Sequence, residues 1–416
     1  MIRKAKSIPV SVAVAAALYI PTTVAAQSVV VTGTGDPTID IPAVQAAVDQ
    51  GGRIVLKGHF SFDAPPTTPG NSCPGFSHTV LVSKAVAISG MLDEQGEMTS
   101  IAGGTIPFCV DAPGTQVAIQ GLYFIHPIQN AIHVSAVRGL AIGSNRIEGV
   151  VPNPDVATAI GIGTTEVGTP SPSNPGHPEN ISGTIWITEN DIDAGGTAAV
   201  NTLGIYTFAL GKSPDREVDL YISGNKIRNI TERAIDINSI GGRGHVERNV
   251  ISTGAVVGPA GGLQPNGMNI VASGSFLIAH NSIISEWAAG SGILVQGNSD
   301  YSEASAIVVD NDVIMSAPEG TVFGSTSAGI MVAGFAQGNS VVGNRIHGRA
   351  RAALAVAAKG AGLPGNNKFV SNDLTGFQSS LADLYVDAGI TNTIVVGAIG
   401  KVEDHGAGTV VVPMPN

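Results

Sequence analysis

The chain has little of what most globular domains are built from. Of its 416 residues only 5% are aromatic and 13% charged. Scarce Phe, Tyr and Trp argue against a bulky globular core, and scarce Glu, Lys and Arg argue against helical bundles, whose solvated faces need them. Cys73 and Cys109 are the only cysteines, which excludes a disulfide-dense small fold and any thiolate metal cluster. The nine histidines are scattered without ligand spacing, so no metal or other cofactor is identifiable. Calcium stays open but has no motif behind it: Asp310 and Asp312 flank an asparagine and read as turn residues rather than ligands. The formal charge of −11 disfavours nucleic acid or an anionic membrane surface as a partner.

At the start, Arg3, Lys4 and Lys6 precede an apolar run from Ile8 to about Val24, interrupted by Pro9 and Pro21, and Val24-Ala25-Ala26 supplies small residues for cleavage. Residues 1–26 are therefore expected to be a signal peptide, and the mature chain to be secreted or periplasmic, still more acidic, and without a membrane span. An oxidising destination favours a disulfide between Cys73 and Cys109.

What the chain has in abundance is glycine, 54 residues of it, and repetition. An asparagine followed two residues later by an aliphatic recurs at Asn145, Asn190, Asn225, Asn249, Asn281, Asn311, Asn344 and Asn372. The mean spacing is about 32 residues, within the range of solenoid repeats. Short alternating runs such as Leu220-Tyr-Ile precede the asparagines. A second short apolar run follows each, and after a variable loop comes a third, as in Ala234-Ile-Asp-Ile and Gly292-Ile-Leu-Val. Alternation of β-branched residues over so few positions reads as strands with one buried face, three to a coil. An amide side chain can both donate and accept, so an asparagine at the same turn of every coil can bond to the turns above and below.

With this pattern the chain resembles the pectate-lyase-like right-handed β-helix superfamily, whose members carry asparagine ladders between their second and third strands. The resemblance continues in Asp40-Ile-Pro-Ala-Val-Gln-Ala-Ala-Val-Asp and Gly51-Gly-Arg-Ile-Val-Leu, which look like the family's capping helix and first strand. Asp40 reads as the N-cap, Pro42 as a first-turn residue, and Ile41, Val44 and Val48 as the apolar stripe. The expected fold is all-β, a right-handed parallel β-helix over residues 64–416 behind an N-terminal cap at 27–63. The Lys57-Gly-His-Phe that follows departs from the family's usual Pro-x-Gly-x-Tyr, and the signature motifs of polygalacturonases, pectinesterases and the best-known pectate lyases are absent. No catalytic residue can be carried over by motif.

The resemblance implies a substrate lying along the outer face of each coil's first strand. With Ile and Val inward, the outward column reads His133, Gly161, Tyr206, Asp236, Asn269, Leu294, Met331 and Ala355. A second column adds Asn238 and Gln296; Glu232 and Arg233 enter the strand of Asp236, and Trp287 offers a flat face to a sugar ring. For β-elimination on a uronate, Tyr206 or His133 would be the base, with Arg233 and Asn269 neutralising the carboxylate. For hydrolysis, Asp236 and Glu232 are the available carboxylates. The same residues also read as an ordinary solvated face, and Arg243 and His245 in Gly241-Gly-Arg-Gly-His read as turn decoration.

The expected function is binding or processing of a polysaccharide or oligosaccharide by a monomeric protein, a lyase before a glycoside hydrolase if it is an enzyme. The alternative is a non-catalytic scaffold or adhesin. The loop from Gly163 to Gly183, rich in Pro, Ser and Thr, is expected to wall the groove.

Overall fold

The computed structural model describes residues 28–63, 78–151, 156–163, 180–197, 201–210, 217–239, 242–254, 265–272, 274–297 and 305–413. The signal-peptide segment, Cys73 and residues 164–179 of the expected groove wall lie outside the described residues. Cys109 is buried and disulfide-bonded. Among the described residues no helix is long and apolar enough to cross a membrane.

The strands wind into a right-handed parallel β-helix, the architecture the repeats imply. One coil shows the rule. Strand Gly183–Thr188 alternates Ile185 and Ile187 inward with Thr184 and Trp186 outward. The chain then turns at Asn190, runs through Asp191–Asp193, and after a loop returns as Asn201–Leu210. Each strand pairs in parallel with its counterparts in the coils before and after, so three walls form: the strands before the asparagine make the second, those just after it the third, and the long return strands the first. The second wall is a 14-stranded sheet, and strand Arg345–Ala357 passes unbroken from third wall to first, joining those two into one sheet of 21 strands. Inward Ile, Val, Leu and Phe form one core cluster from Val31 to Val395, each side chain resting on its equivalent in the next coil.

The eight asparagines form one continuous ladder. Asn249 is fully buried; its Nδ2 donates to the Ile222 carbonyl at 3.0 Å and to Asn281 Oδ1 at 2.9 Å, while its Oδ1 accepts from Asn225 Nδ2 at 3.0 Å. The same amide-to-amide bond links every neighbouring pair from Asn145 to Asn372. The residue before each rung adopts the left-handed conformation that turns the chain sharply. Gly224 and Gly343 do so freely, but Ser144, Glu189, Arg248, His280, Asp310 and Ser371 do so at φ between 52° and 57°. An L residue there costs roughly 1–2 kcal/mol, so the ladder and the strands it registers override local preference. Asp310 is thus a turn residue, as its spacing implies. A shorter ladder was not legible in the sequence: Asn339 Nδ2 donates to Asn367 Oδ1 at 2.9 Å on the other side of the second wall.

The glycines that open the first-wall strands have a steric cause. A Cβ on Gly292 would stand 2.4 Å from Val313 Cγ1, and one on Gly329 would stand 2.4 Å from Ile346 Cγ2. The incoming backbone crosses directly over a third-wall side chain, and only hydrogen fits between.

Two local expectations are corrected. The helix spans Pro37–Val48 and is capped by Asp36, whose side chain accepts from the Thr38 amide at 2.9 Å. Asp40, the expected cap, lies one turn inside. It is buried and instead accepts from the amides of Thr34, Gly35 and Ser61 at 2.8, 3.0 and 2.9 Å, tying the helix to the first coil. Val44 and Val48 do enter the core, with Ile41 packed against it. Arg243 and His245 belong to a second-wall strand, Arg243–Glu247, rather than to a turn, because Gly244 between them allows the Phe276 ring of the next coil to lie against the backbone.

Replacing Asn249 by Ala would leave the Ile222 carbonyl and two neighbouring amides short of partners, a loss of about 2–4 kcal/mol in urea unfolding. Lys368→Ala, at an exposed strand position, should change stability by no more than about 0.5 kcal/mol.

Candidate functional site

The outward column of the first wall assembles in the order that alternation implies. His133 pairs with Gly161, Gly161 with Tyr206, Tyr206 with Asp236, Asp236 with Asn269, Asn269 with Leu294, Leu294 with Met331, and Met331 with Ala355. One further step reaches Tyr385. What alternation did not convey is that the column is buried. His133, Asp236 and Asn269 expose nothing, and Tyr206 only 6%. A solvated polar face is therefore not what these residues form.

Burial obliges the polar members to satisfy one another, and they do so in a directed string. Asp236 is the fixed point because a carboxylate only accepts. Arg233 Nη1 donates to its Oδ2 at 2.6 Å, and Asn269 Nδ2 donates to its Oδ1 at 2.6 Å. With its amide nitrogen committed, Asn269 presents Oδ1 to Gln296 Nε2 at 2.7 Å. Gln296 in turn presents Oε1 to the ammonium of Lys359, which donates to it. Each amide's orientation is thus inherited from the carboxylate. The Arg233–Asp236 pair is a desolvated ion pair, stable only while both partners are present.

Lys359 lies in the exposed turn after strand Arg345–Ala357, where the string comes to the surface. Burial of its ammonium, followed by the positive charge of Arg233, holds it below the ordinary 10.5, with Asp236 acting in the opposite sense. Beside it opens a cleft of about 400 Å³. Leu294, Met331 and Ala333 make an apolar floor. Across it stand Arg351, whose guanidinium lies 4.5 Å over the Tyr385 ring, and Asp387, which accepts from the Tyr385 hydroxyl at 3.2 Å. A lysine, an arginine, a phenol and a carboxylate around an apolar floor make a site that can seat a sugar ring, pair with an anionic substituent and move a proton.

The other sequence candidates fall elsewhere. His133 stands three strands from Asp236 along the column, with Nε2 3.1 Å from Ser135 Oγ. Tyr206 is next to Asp236, its ring packed with Leu203 and Phe208. Glu232 is buried at the entry to the strand, and Asn238 shares Gln296's column with Val271 between them. Trp287 is corrected: it is 1% exposed and part of the main core, so no ring face is offered to solvent. Lys359 and Arg351 were missed because they lie outside the periodic positions. Tyr385 and Asp387 were within reach, since further steps of the two outward columns lead to them. Among the described residues no group of three or more His, Cys, Asp and Glu side chains converges to hold a metal ion.

No family model matches the chain, and no curated relative does. Solved structures of β-helix proteins do. The A-module of an Azotobacter vinelandii mannuronan C-5 epimerase is 15% identical over 92% of this chain and 96% of its own, with a TM-score of 0.44. A DFA-IIIase from Arthrobacter chlorophenolicus A6 is 13% identical over 88% and 91%, TM-score 0.45. Tailspike protein 3 of bacteriophage CBA120 is 12% identical over 92% of this chain and 58% of its own, TM-score 0.45.

The string can be checked through the titration of Lys359, followed by NMR of the labelled amine. It should titrate below the other lysines. Asp236→Asn removes the charge that raises it and should lower it further; Arg233→Gln removes a charge that lowers it and should raise it. Identical titration in both variants would show that the three groups are not coupled.

Proposed function

We propose that this chain binds a polysaccharide at the cleft beside Lys359, where the otherwise buried row of the first wall comes to the surface, and cleaves it there by β-elimination. The observation that carries the reading is the directed string from Asp236 to Lys359, which ends at the rim of an apolar-floored cleft. Gln296 Oε1 engages one N–H of Lys359, and burial lowers the proton affinity of the amine, a shift in the direction a general base requires. In this reading Lys359 takes the proton next to a sugar carboxylate, the freed electron pair becomes a carbon–carbon double bond, and the glycosidic carbon–oxygen bond breaks. The resulting ammonium returns its proton to the departing oxygen. Arg351 neutralises the carboxylate, and Ala357 and Tyr385, the partly exposed apolar groups over the buried floor, meet the apolar face of the ring. His133 and Tyr206, the bases suggested by position alone, stand further up the column in contacts of their own.

The test is incubation with a panel of acidic and neutral polysaccharides. The expected product is an unsaturated oligosaccharide absorbing in the ultraviolet, with kcat lowered about 10²- to 10⁴-fold in Lys359→Met. An equal rate in that variant would remove Lys359 from the chemistry. New reducing ends without absorbance would replace elimination by hydrolysis, and binding without any product would favour the non-catalytic scaffold.

A further inference from the structure

The second wall carries a different arrangement on its outer face. Trp186, Tyr221 and His245 occupy the same outward position in three successive strands. In-register parallel pairing places such residues about 4.8 Å apart, so flat rings stack. The indole and phenol centroids are 4.0 Å apart with planes 10° from parallel, and the imidazole follows at 5.1 Å and 15°. The column continues beyond His245 as Leu277 and Ile307.

In the other direction the stack stops abruptly. The strand next to Trp186 is Gly139–Gly143, with Leu140 and Ile142 inward and Gly139, Ala141 and Gly143 outward. The indole plane is set by its stacking on Tyr221, so its second face is turned toward Ala141, which ends at a methyl group. One strand further on, Gln116, Ala118 and Gln120 face outward. Ala141 and Ala118 lie low, at 7% and 4% exposure, while the indole above them keeps 36%. The result is a ledge with a flat aromatic wall and a low floor. Its corners are two amides, Gln116 and Gln120, and two hydroxyls, Thr184 and Thr188. None of the nine outward positions on these three strands is charged.

A planar aromatic face next to uncharged donors and acceptors is complementary to a pyranose ring, which has an apolar C–H face and a rim of hydroxyls. We propose that the ledge at Trp186 is a binding site for an uncharged sugar ring of a glycan, on a different wall from the cleft at Lys359 and independent of its chemistry. It would hold a chain to the protein without cleaving it. The stack behind Trp186 fixes the indole plane in advance, so little side-chain freedom is lost on binding.

Neutral and acidic hexasaccharides titrated into the full chain by calorimetry test this, with intrinsic fluorescence as a second readout. The chain has two tryptophans and Trp287 is buried, so a sugar-dependent change reports on Trp186. Wild type and Lys359→Met should bind at least one neutral hexasaccharide equally. Trp186→Ala should weaken that binding about tenfold or more. Ala141→Tyr, which keeps Trp186 but lays a phenol over its free face, should do the same at an unchanged melting temperature. The proposal is overturned if no neutral sugar binds, if Trp186→Ala and Ala141→Tyr both bind like wild type, or if binding is lost in Lys359→Met but kept in Trp186→Ala.

Discussion

Every feature of this molecule depends on coils being held in register, and the interaction that enforces it is the amide ladder from Asn145 to Asn372. Each rung uses both ends of its side chain, accepting from one neighbour and donating to the next. A coil slipped by one residue would break those bonds and also turn its Ile and Val out to solvent, so two independent terms oppose the same error. Because the terms agree, six turns tolerate a non-glycine residue in the left-handed region.

Register has a chemical consequence. Residues some 30 positions apart in sequence become neighbours in a row, and what a row does depends on what occupies it. On the first wall the row around Asp236 is buried and polar, which obliges its members to bond to one another. A carboxylate cannot donate, so it orients Asn269, then Gln296, and finally the amine of Lys359. On the second wall the same geometry acts on Trp186, Tyr221 and His245 and yields a stack of rings with one face left over. One stacking rule thus produces a directed hydrogen-bond string on one side and a flat apolar surface on another.

The two surfaces also differ in how they meet water. The first-wall row is desolvated, which strengthens each charge-assisted bond and makes the Arg233–Asp236 pair dependent on both partners. Among the described residues it comes to the surface where the chain leaves the regular strand at Lys359. The second-wall row stays accessible; the polar positions beside the outer face of Trp186 are uncharged, while Asp219, Arg243 and Glu247 flank its His245 end. Two walls of one solenoid therefore present contrasting chemistries to a long ligand, as expected where function is placed on a fold rather than implied by it.

The parallel β-helix, its eight-rung ladder and the order of the outward column were legible in the amino-acid sequence, because all three follow from periodicity and period survives in a linear record. Alternation even placed Tyr206, Asp236 and Asn269 side by side. It did not reveal that this column is buried, that Trp287 points into the core, or that Asp36 rather than Asp40 caps the helix. Lys359 and Arg351 follow no period, and the free face of Trp186 depends on a short residue one coil away. Periodic patterning determined which positions share a wall. Only the folded chain decided which of them are covered and which non-periodic side chains reach them, since burial and reach depend on distances between coils that no local pattern encodes.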